Sequence, residues 1–370
     1  MKASTAASLH ALVSATLLSL GYSSPLVNDP AVIAAINRQT ELTWRAGAND
    51  FFTGKTVADA RRLLGTEISM SGLRLPVASH TTAGLEDFDP PSEFDARHEW
   101  QHCPTIGTIR NQGTCGGCWA FGATEALEDR FCIAGAPIEG KCTSASTTMG
   151  ANVGCLSPQF LLDCNTAAHR TPPDGGCGGG FLDNAWEFLQ AVGIPIESCD
   201  PYKECAYPPF ANCTEPGTKP KPSQKDEHQC PLSTGKCEDG SAPIKTYKAK
   251  SAYAVGKPGD VAAIQKEIMA HGPVEVAFFV FSDFMHYKSG VYQKSANATG
   301  PEGGHAVKAL GWGTDANTGQ DYWLIANSWS PSWGDNGFFK IVRGKNECGI
   351  ETTVAAGLPD TTPVPPAVAR

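Results

Sequence analysis

Fourteen cysteines stand in 370 residues, and all but Cys348 lie between Cys103 and Cys237. Thiols at that density persist as bridges in an oxidising compartment. A chain so cross-linked is held by its loops as much as by its core. The N-terminus supplies the route to such a compartment. "MKASTAASLHALVSATLLSLGYSS" carries Lys2, an apolar run from Ala11 to Leu20 and then small residues, the layout of a secretory signal over residues 1–23. No other apolar run reaches the ~20 residues that span a bilayer. The expected location is the secretory pathway, ending in a lysosome-like vesicle or outside the cell. Asn212-Cys213-Thr214 and Asn297-Ala298-Thr299 are glycosylation acceptor sequences that fit this route. The net charge of −9, with no basic stripe, argues against nucleic acid as a partner.

Composition divides the rest of the chain. Residues 24–88 hold helical runs ("PAVIAAINRQTELTWRAG", "TVADARRLLG") and no cysteine. The change at "DFDPPSEFDARHEW" is abrupt. A cysteine-free leader before a cysteine-rich body reads as a removable pro-segment. The plainer reading is a helical subdomain that stays attached. From about 104 to 198 helical patterns dominate. "CWAFGATEALEDRFCIAG" sets Ala120, Phe121, Leu127 and Phe131 on one apolar stripe, and "LDNAWEFLQAVG" ends at Gly193. Residues 199–237 form a loop rich in Pro, Lys and Cys, long enough to suggest a function. From about 250 to 358 the pattern turns to strands: "PVEVAFFVF", "AVKALGWG", "YWLIANSW" and "GFFKIVRG", with one helix, "DVAAIQKEIMAHG". The Pro-rich end, 361–370, reads as a disordered tail. Helices first and strands second predicts an α+β protein of two packed halves.

"QGTCGGCWAF", residues 112–121, places Cys115 and Cys118 three apart. A zinc site needs a second Cys or His pair at matching spacing, and none is evident. A thioredoxin-like pair needs a βαβ context that is missing here. A structural pair and a nucleophile remain. Cys118 opens a helix, where free backbone N–H groups and the helix dipole favour a thiolate. Cys115 lies in the loop before it. Gln112 can add a side-chain N–H to the Cys118 backbone N–H, forming an oxyanion hole. The flanking glycines suit close approach of a bound peptide.

A thiolate nucleophile needs a base and a group to orient it. Of nine histidines, His305 stands apart. It follows Gly303 and Gly304 and opens a strand joined to "YWLIANSW" by the turn "TDANTGQ". Folding that hairpin about Ala316–Asn317 sets His305 opposite residues 327–329. Neighbouring strands lie ~4.8 Å apart, which puts Asn327 in reach of the imidazole. The Asn327 carbonyl can fix the ring tautomer, and Trp329 can shield that bond from water. The alternative is a hairpin that carries both residues by chance.

These stretches resemble the papain family of cysteine peptidases, most closely its cathepsin B members. The resemblance rests on "FDARHEWQHCPTIGTIRNQGTCGGCWAFGATEALEDRFCI", "GPVEVAFFVFSDFMHYKSGVY", "GGHAVKALGWG" and "YWLIANSWSPSWGDNGFFKIVRGKNECGIE". "LTWRAGANDF…ARRLLG" is similar to the short cathepsin B pro-segment, so the likeness runs from about residue 40 to 358. It implies a two-lobed fold, a helical lobe against a β-barrel-like lobe, with the active site in the cleft between them. It implies Cys118 as nucleophile, His305 as base, Asn327 as orienting group and Gln112 as oxyanion donor. Gly179, Gly180, Leu182, Ala277, Ala306, Trp329 and Thr353 are implied to bind substrate. The implied bridges are Cys103–Cys132, Cys115–Cys177, Cys164–Cys230, Cys199–Cys237 and Cys205–Cys213, with Cys348 free. That leaves Cys142 and Cys155, inferred to pair with each other. Implied partners are peptide and protein substrates, the chain's own pro-segment and cystatin-like inhibitors. No cofactor, metal or membrane partner is expected.

The chain departs from the cathepsin B pattern at four places. Gly117 stands where the family has Ser or Ala. Asn165 replaces a second adjacent cysteine, which removes one family bridge. The loop 199–237 lacks the paired histidines that bind a substrate's C-terminal carboxylate; its one histidine is His228, beside Asp226 and Glu227. Thr353 replaces a glutamate at the floor of the pocket for the residue two before the cut. The expectation is therefore a zymogen-derived endopeptidase with an apolar preference in that pocket. The alternatives are a carboxydipeptidase with a modified loop and an inactive binding homologue.

Overall fold

The computed structural model describes residues 24–78, 89–139, 154–165, 175–204 and 230–362. The N-terminal segment carries α1 (Pro30–Asn37), β1 (Trp44–Ala46) and α2 (Val57–Arg61). Next come β2 (Phe94–Asp95) and α3 (Ala96–Glu99), then α4 (Cys118–Ile133), α5 (Pro158–Cys164) and α6 (Leu182–Ala191). The remainder is β3 (Tyr253–Ala254), α7 (Val261–His271), β4 (Val274–Val280), β5 (Tyr287–Tyr292), β6 (Gly303–Thr314), β7 (Asp321–Ala326), β8 (Phe338–Val342) and β9 (Thr353–Ala356). Local signals set several boundaries. Thr56 and Asp59 make a reciprocal capping box on α2. Ser157 accepts from Phe160 N–H before a first-turn proline on α5. Gly272, at φ 96°, stops α7.

The strands form one sheet in the order β1-β5-β8-β7-β6-β4-β9-β3, with β2 also pairing to β6. The lobe expected to be barrel-like is an open sheet. Its edges are β1, contributed by the N-terminal segment, and the two-residue β3, so the sheet does not close on itself. β6 and β7 pair from Thr314↔Asp321 to Lys308↔Ala326, with an irregularity between Ala309 and Gly311. That hairpin carries His305 toward the end of β7.

Of three buried apolar clusters, the two largest lie on either side of β6. One lies on the sheet and takes Val27, Trp44, Phe51, Phe52 and Leu63 from the N-terminal segment beside Phe278, Phe284, Trp329 and Trp333. The other joins α4, α5 and α6, through Trp119, Phe160, Leu161 and Trp186, to Ala277 and Ala306 of the sheet. The N-terminal segment is thus packed on the body.

Helix α4 departs from the simple stripe read from its sequence. All its residues but the last are buried, including Glu125, Glu128, Asp129 and Arg130. A polar face that reads as solvent-exposed is covered by charged side chains from other elements, basic against its acids and acidic against Arg130. Lys308 of β6 reaches Asp129 at 2.8 Å, Arg130 pairs with Glu267 of α7 at 2.8 Å, and Arg110 pairs with Glu197 at 2.9 Å. Buried charges persist only when paired in this way.

The structure links Cys103 to Cys132, Cys115 to Cys177, Cys164 to Cys230 and Cys199 to Cys237, and leaves Cys118 and Cys348 as free thiols. Cys155 is also disulfide-bonded; Cys142, its inferred partner, lies outside the described residues. So do Cys205, Cys213, Asn212, His228 and most of the tail. Asn297 is exposed in a turn between β5 and β6. Among the described residues, no helix is long and apolar enough to cross a membrane.

Candidate active site

Cys118 is the first residue of α4, and Gly117 before it supplies no side-chain cap. Gly117 sits at φ −91°, a conformation open to any residue. A Cβ there would meet Cys115 Sγ at 3.2 Å and Leu162 at 3.3 Å, so a small side chain fits with slight adjustment. On β6, His305 Nε2 lies 2.7 Å from Asn327 Oδ1. That oxygen also accepts from Ser328 N–H at 2.8 Å, which identifies it as the carbonyl end of the amide. The imidazole therefore donates from Nε2 and keeps a lone pair on Nδ1, which has no hydrogen-bond partner among the described residues. The Ala306 backbone, one residue on, lies against the Cys118 thiol. Trp329 covers the pair, with its ring centroid 4.7 Å from that of His305.

Gln112 is held on both ends. Its Oε1 accepts from Ser328 Oγ at 2.7 Å, and its backbone carbonyl accepts from Tyr202 at 2.7 Å. Ser328 and Tyr202 were not singled out in the sequence. Ser328 stands between Asn327 and Trp329 in "ANSW", and its role depends on how the chain leaves β7, which no local pattern reports.

The residues expected to line a substrate pocket also come together. Ala277 of β4 is directly opposite Ala306 of β6 on one side and Thr353 of β9 on the other. Residues paired directly across strands share a face, so the three form one row, and Ala277 and Ala306 pack in the same core as Leu182. The Thr353 hydroxyl is buried without a partner among the described residues. Glu351 does not enter this row. Its carboxylate accepts from Trp323 Nε1 at 2.9 Å and from the Gly344 and Asn346 N–H groups. Two residues before Ala277 on the same face, Glu275 accepts from Trp186 Nε1 at 2.8 Å. Burial drives its carboxyl well above the usual range, so it is neutral.

The N-terminal segment fills the cleft these groups surround. Gln112 Nε2 donates to the Leu63 carbonyl at 3.0 Å, and the Thr66 hydroxyl is 3.0 Å from Cys118 Sγ. Thr66 N–H donates to Gly304 O; Gly180 N–H donates to Gly65 O; Glu67 N–H donates to Gly180 O. A Cβ on Gly179 would stand 2.8 Å from Gly65 O, so this backbone approach requires glycine. Phe51 stacks parallel on Trp329, and Phe52 meets it edge-on.

This cover reverses the electrostatics expected of a helix-start cysteine. Burial pushes the Cys118 thiol upward, more than the hydrogen bonds from Thr66, Ala306 and Gly65 lower it. Burial pushes His305 down to about 4, with Asn327 opposing. Both groups are neutral while the segment is in place. Beside Cys103 and Cys132, His102 completes the sole close group of potential metal ligands among the described residues, but both sulfurs are committed to a disulfide.

Comparison with known proteins accounts for this arrangement. The sequence profile of the papain family cysteine protease matches residues 90–358. The chain belongs to the papain family of cysteine proteases. It is 39% identical over 373 residues to a cathepsin B-like cysteine proteinase 4 of Caenorhabditis elegans, covering 95% of this chain and 98% of that protein. It is 38% identical over 359 residues to a cathepsin B-like protease 1 of Arabidopsis thaliana, covering 90% and 84%. Among solved structures, procathepsin B S9 of Trypanosoma congolense superposes with a TM-score of 0.70 at 30% identity, over 91% of this chain and 99% of that one. This papain-family chain is thus a cathepsin B-like cysteine protease with a zymogen as structural neighbour.

Proposed function

We propose that residues 24–88 are an inhibitory pro-segment and that its removal releases an endopeptidase using Cys118 as nucleophile. The carrying observation is that the segment's own Leu63 carbonyl and Thr66 hydroxyl engage Gln112 Nε2 and Cys118 Sγ. The groups a substrate carbonyl would need are already occupied.

With the cleft open, water and substrate replace this cover. His305 Nδ1 takes the thiol proton, and the resulting imidazolium is steadied by Asn327 Oδ1. The thiolate attacks the scissile carbonyl. Gln112 Nε2 and the Cys118 backbone N–H receive the developing oxyanion. The imidazolium then protonates the departing amine, and water, with His305 as base, hydrolyses the thioester. Gly179 and Gly180 hold the substrate backbone, and Trp329 keeps the His305–Asn327 bond dry. Leu182, Ala277, Ala306 and Thr353 form an apolar pocket for the residue two before the cut. An arginine there would lose hydration without gaining a charged partner, since Glu351 is engaged elsewhere and Glu275 is neutral.

The direction of the pro-segment supports inhibition rather than self-cleavage in place. Its chain passes Gln112 first, at Leu63, and reaches the apolar core beside Leu182 later, with Ile68 and Leu73. A substrate with its second residue before the cut in that pocket runs the opposite way. Full-length protein should therefore be inactive until trimmed close to Pro90–Phe94. Full activity of untrimmed chain, with no processing during the assay, would overturn the proposal.

A further inference from the structure

The two ends of the cleft are covered by chemically different parts of the N-terminal segment. Ile68 and Leu73 lie at the apolar end. At the other end Phe51 stacks on Trp329, and Lys55 Nζ sits 3.6 Å from the Phe51 ring centroid. Glu204 stands at this end. Its carboxylate rests against the Gly113 backbone, so close that any side chain on Gly113 would overlap it. Gly113 immediately follows Gln112, and at φ +60° it also adopts a backbone conformation that favours glycine. Thr114 Oγ1 is 3.5 Å from Glu204 Oε2. Among the described residues no arginine or lysine lies within ion-pair distance of Glu204. Lys55 is the cation whose charge it opposes: burial lowers the Lys55 ammonium, and Glu204 and then Asp59 raise it.

A substrate whose second residue before the cut sits at the Ala277 row passes Cys118 and then runs toward Gln112, Gly113 and Trp329. Its residues after the cut therefore travel past Glu204. We propose that Glu204 is a specificity-determining residue that selects a lysine or arginine among the first three residues after the scissile bond, with Lys55 standing in for it in the zymogen. The proposal rests on Cys118 as nucleophile and on the pocket assignment above. A free C-terminal carboxylate at the same place faces a like charge, which disfavours removal of C-terminal dipeptides.

Glu204 is exposed, so the selection is modest. An exposed ion pair corresponds to a preference of about two- to fivefold, and salt screens it. The test uses enzyme activated from the full chain and internally quenched peptides that share one unprimed sequence. Lys, Gln or Glu is placed in turn at each of the first three positions after the cut. The expected result is a kcat/KM order of Lys over Gln over Glu at one position at least, compressed in high salt. The Lys-to-Glu ratio should fall to near one in Glu204→Gln and invert in Glu204→Lys. Cleavage of every peptide with a flat wild-type ratio, or a ratio unchanged in both variants, overturns the subsite alone. No cleavage of any peptide by the activated wild type overturns the peptidase assignment, and the subsite with it.

Discussion

Helix α4 and strand β6 each contribute to two buried polar groups, and the two groups are built on opposite principles. At one end Cys118 and His305 form the site; three residues further along β6, Lys308 faces Glu125 and Asp129 of α4. Around Lys308 the charges are matched by contact, at 2.8 Å to Asp129 and 3.8 Å to Glu125. Glu125 and Glu128, more deeply desolvated than compensated, are pushed up to about 7 and about 8. Glu125 Oε1, Glu128 Oε1 and Asp129 Oδ1 have no hydrogen bond among the described residues, but each of these carboxylates lies within 4 Å of a buried cation. At the site, His305 Nδ1, Asn327 Nδ2 and Trp329 Nε1 also have no partner among the described residues, and no ion pair offsets them. The first arrangement fixes one element against the other. The second keeps hydrogen-bonding capacity in reserve, and the N-terminal segment covers it. Unsatisfied buried groups near a nucleophile mark where chemistry is to occur.

Four experiments would break or sharpen this contrast. The largest effect belongs to Cys118→Ala, which should lower turnover by a factor on the order of 10⁶, the scale of losing a nucleophile from a concerted set. Labelling by an epoxide thiol probe should vanish with it. Labelling of that variant at an active-site peptide would place the nucleophile elsewhere.

The next effect concerns the cover. In the untrimmed chain the Cys118 thiol is raised by burial, so the thiolate is scarce at pH 6. It becomes appreciable only as pH climbs above the ordinary thiol value of about 8.5. Alkylation by iodoacetamide at pH 6 should therefore be on the order of 10³-fold slower before trimming than after. Equal rates would mean that the segment does not hold the pair neutral.

Lys308→Met tests the matched end. Removing the cation leaves Asp129 and Glu125 buried without it, a loss of about 3–5 kcal/mol by urea unfolding at constant pH. A change within experimental error would show that the network adds nothing to the packing of α4 on β6.

The smallest effect is in the pocket. Phe-Arg dipeptide substrates should exceed Arg-Arg by about tenfold in kcat/KM, and Thr353→Glu should shrink the ratio, since about 1.4 kcal/mol separates a solvated from an unpaired cation at this level. Equal rates in the wild type would mean that an acid, with Glu275 the nearest candidate, ionises to serve the pocket.

Much of the site was legible in the sequence because it is local. Cys118 is read from its place at a helix start, and His305 with Asn327 from one hairpin and its turn. The pocket row came from resemblance, and the β4–β6–β9 register sets it side by side. Three features were not legible. The polar face of α4 looks solvent-facing along its own sequence, and Arg110 and Lys308, which meet its acids, come from 18 and 179 residues away. The open sheet depends on which segments take its edges. The neutral state of Cys118 and His305 depends on water being excluded by residues 63–66, some 50 and 240 positions upstream.

The sequence by itself determined the cysteine-dense body, the helix-then-strand order, a cysteine at a helix start and the hairpin that brings His305 to Asn327. Each is a short-range property of periodicity, turn chemistry or residue type. Only the tertiary structure decided that the Cys118 thiol is buried against Thr66, that the acids of α4 are buried, and that Glu204 stands beside Gly113. Burial and charge pairing are sums over everything that packs around a group, and no stretch of sequence carries that sum.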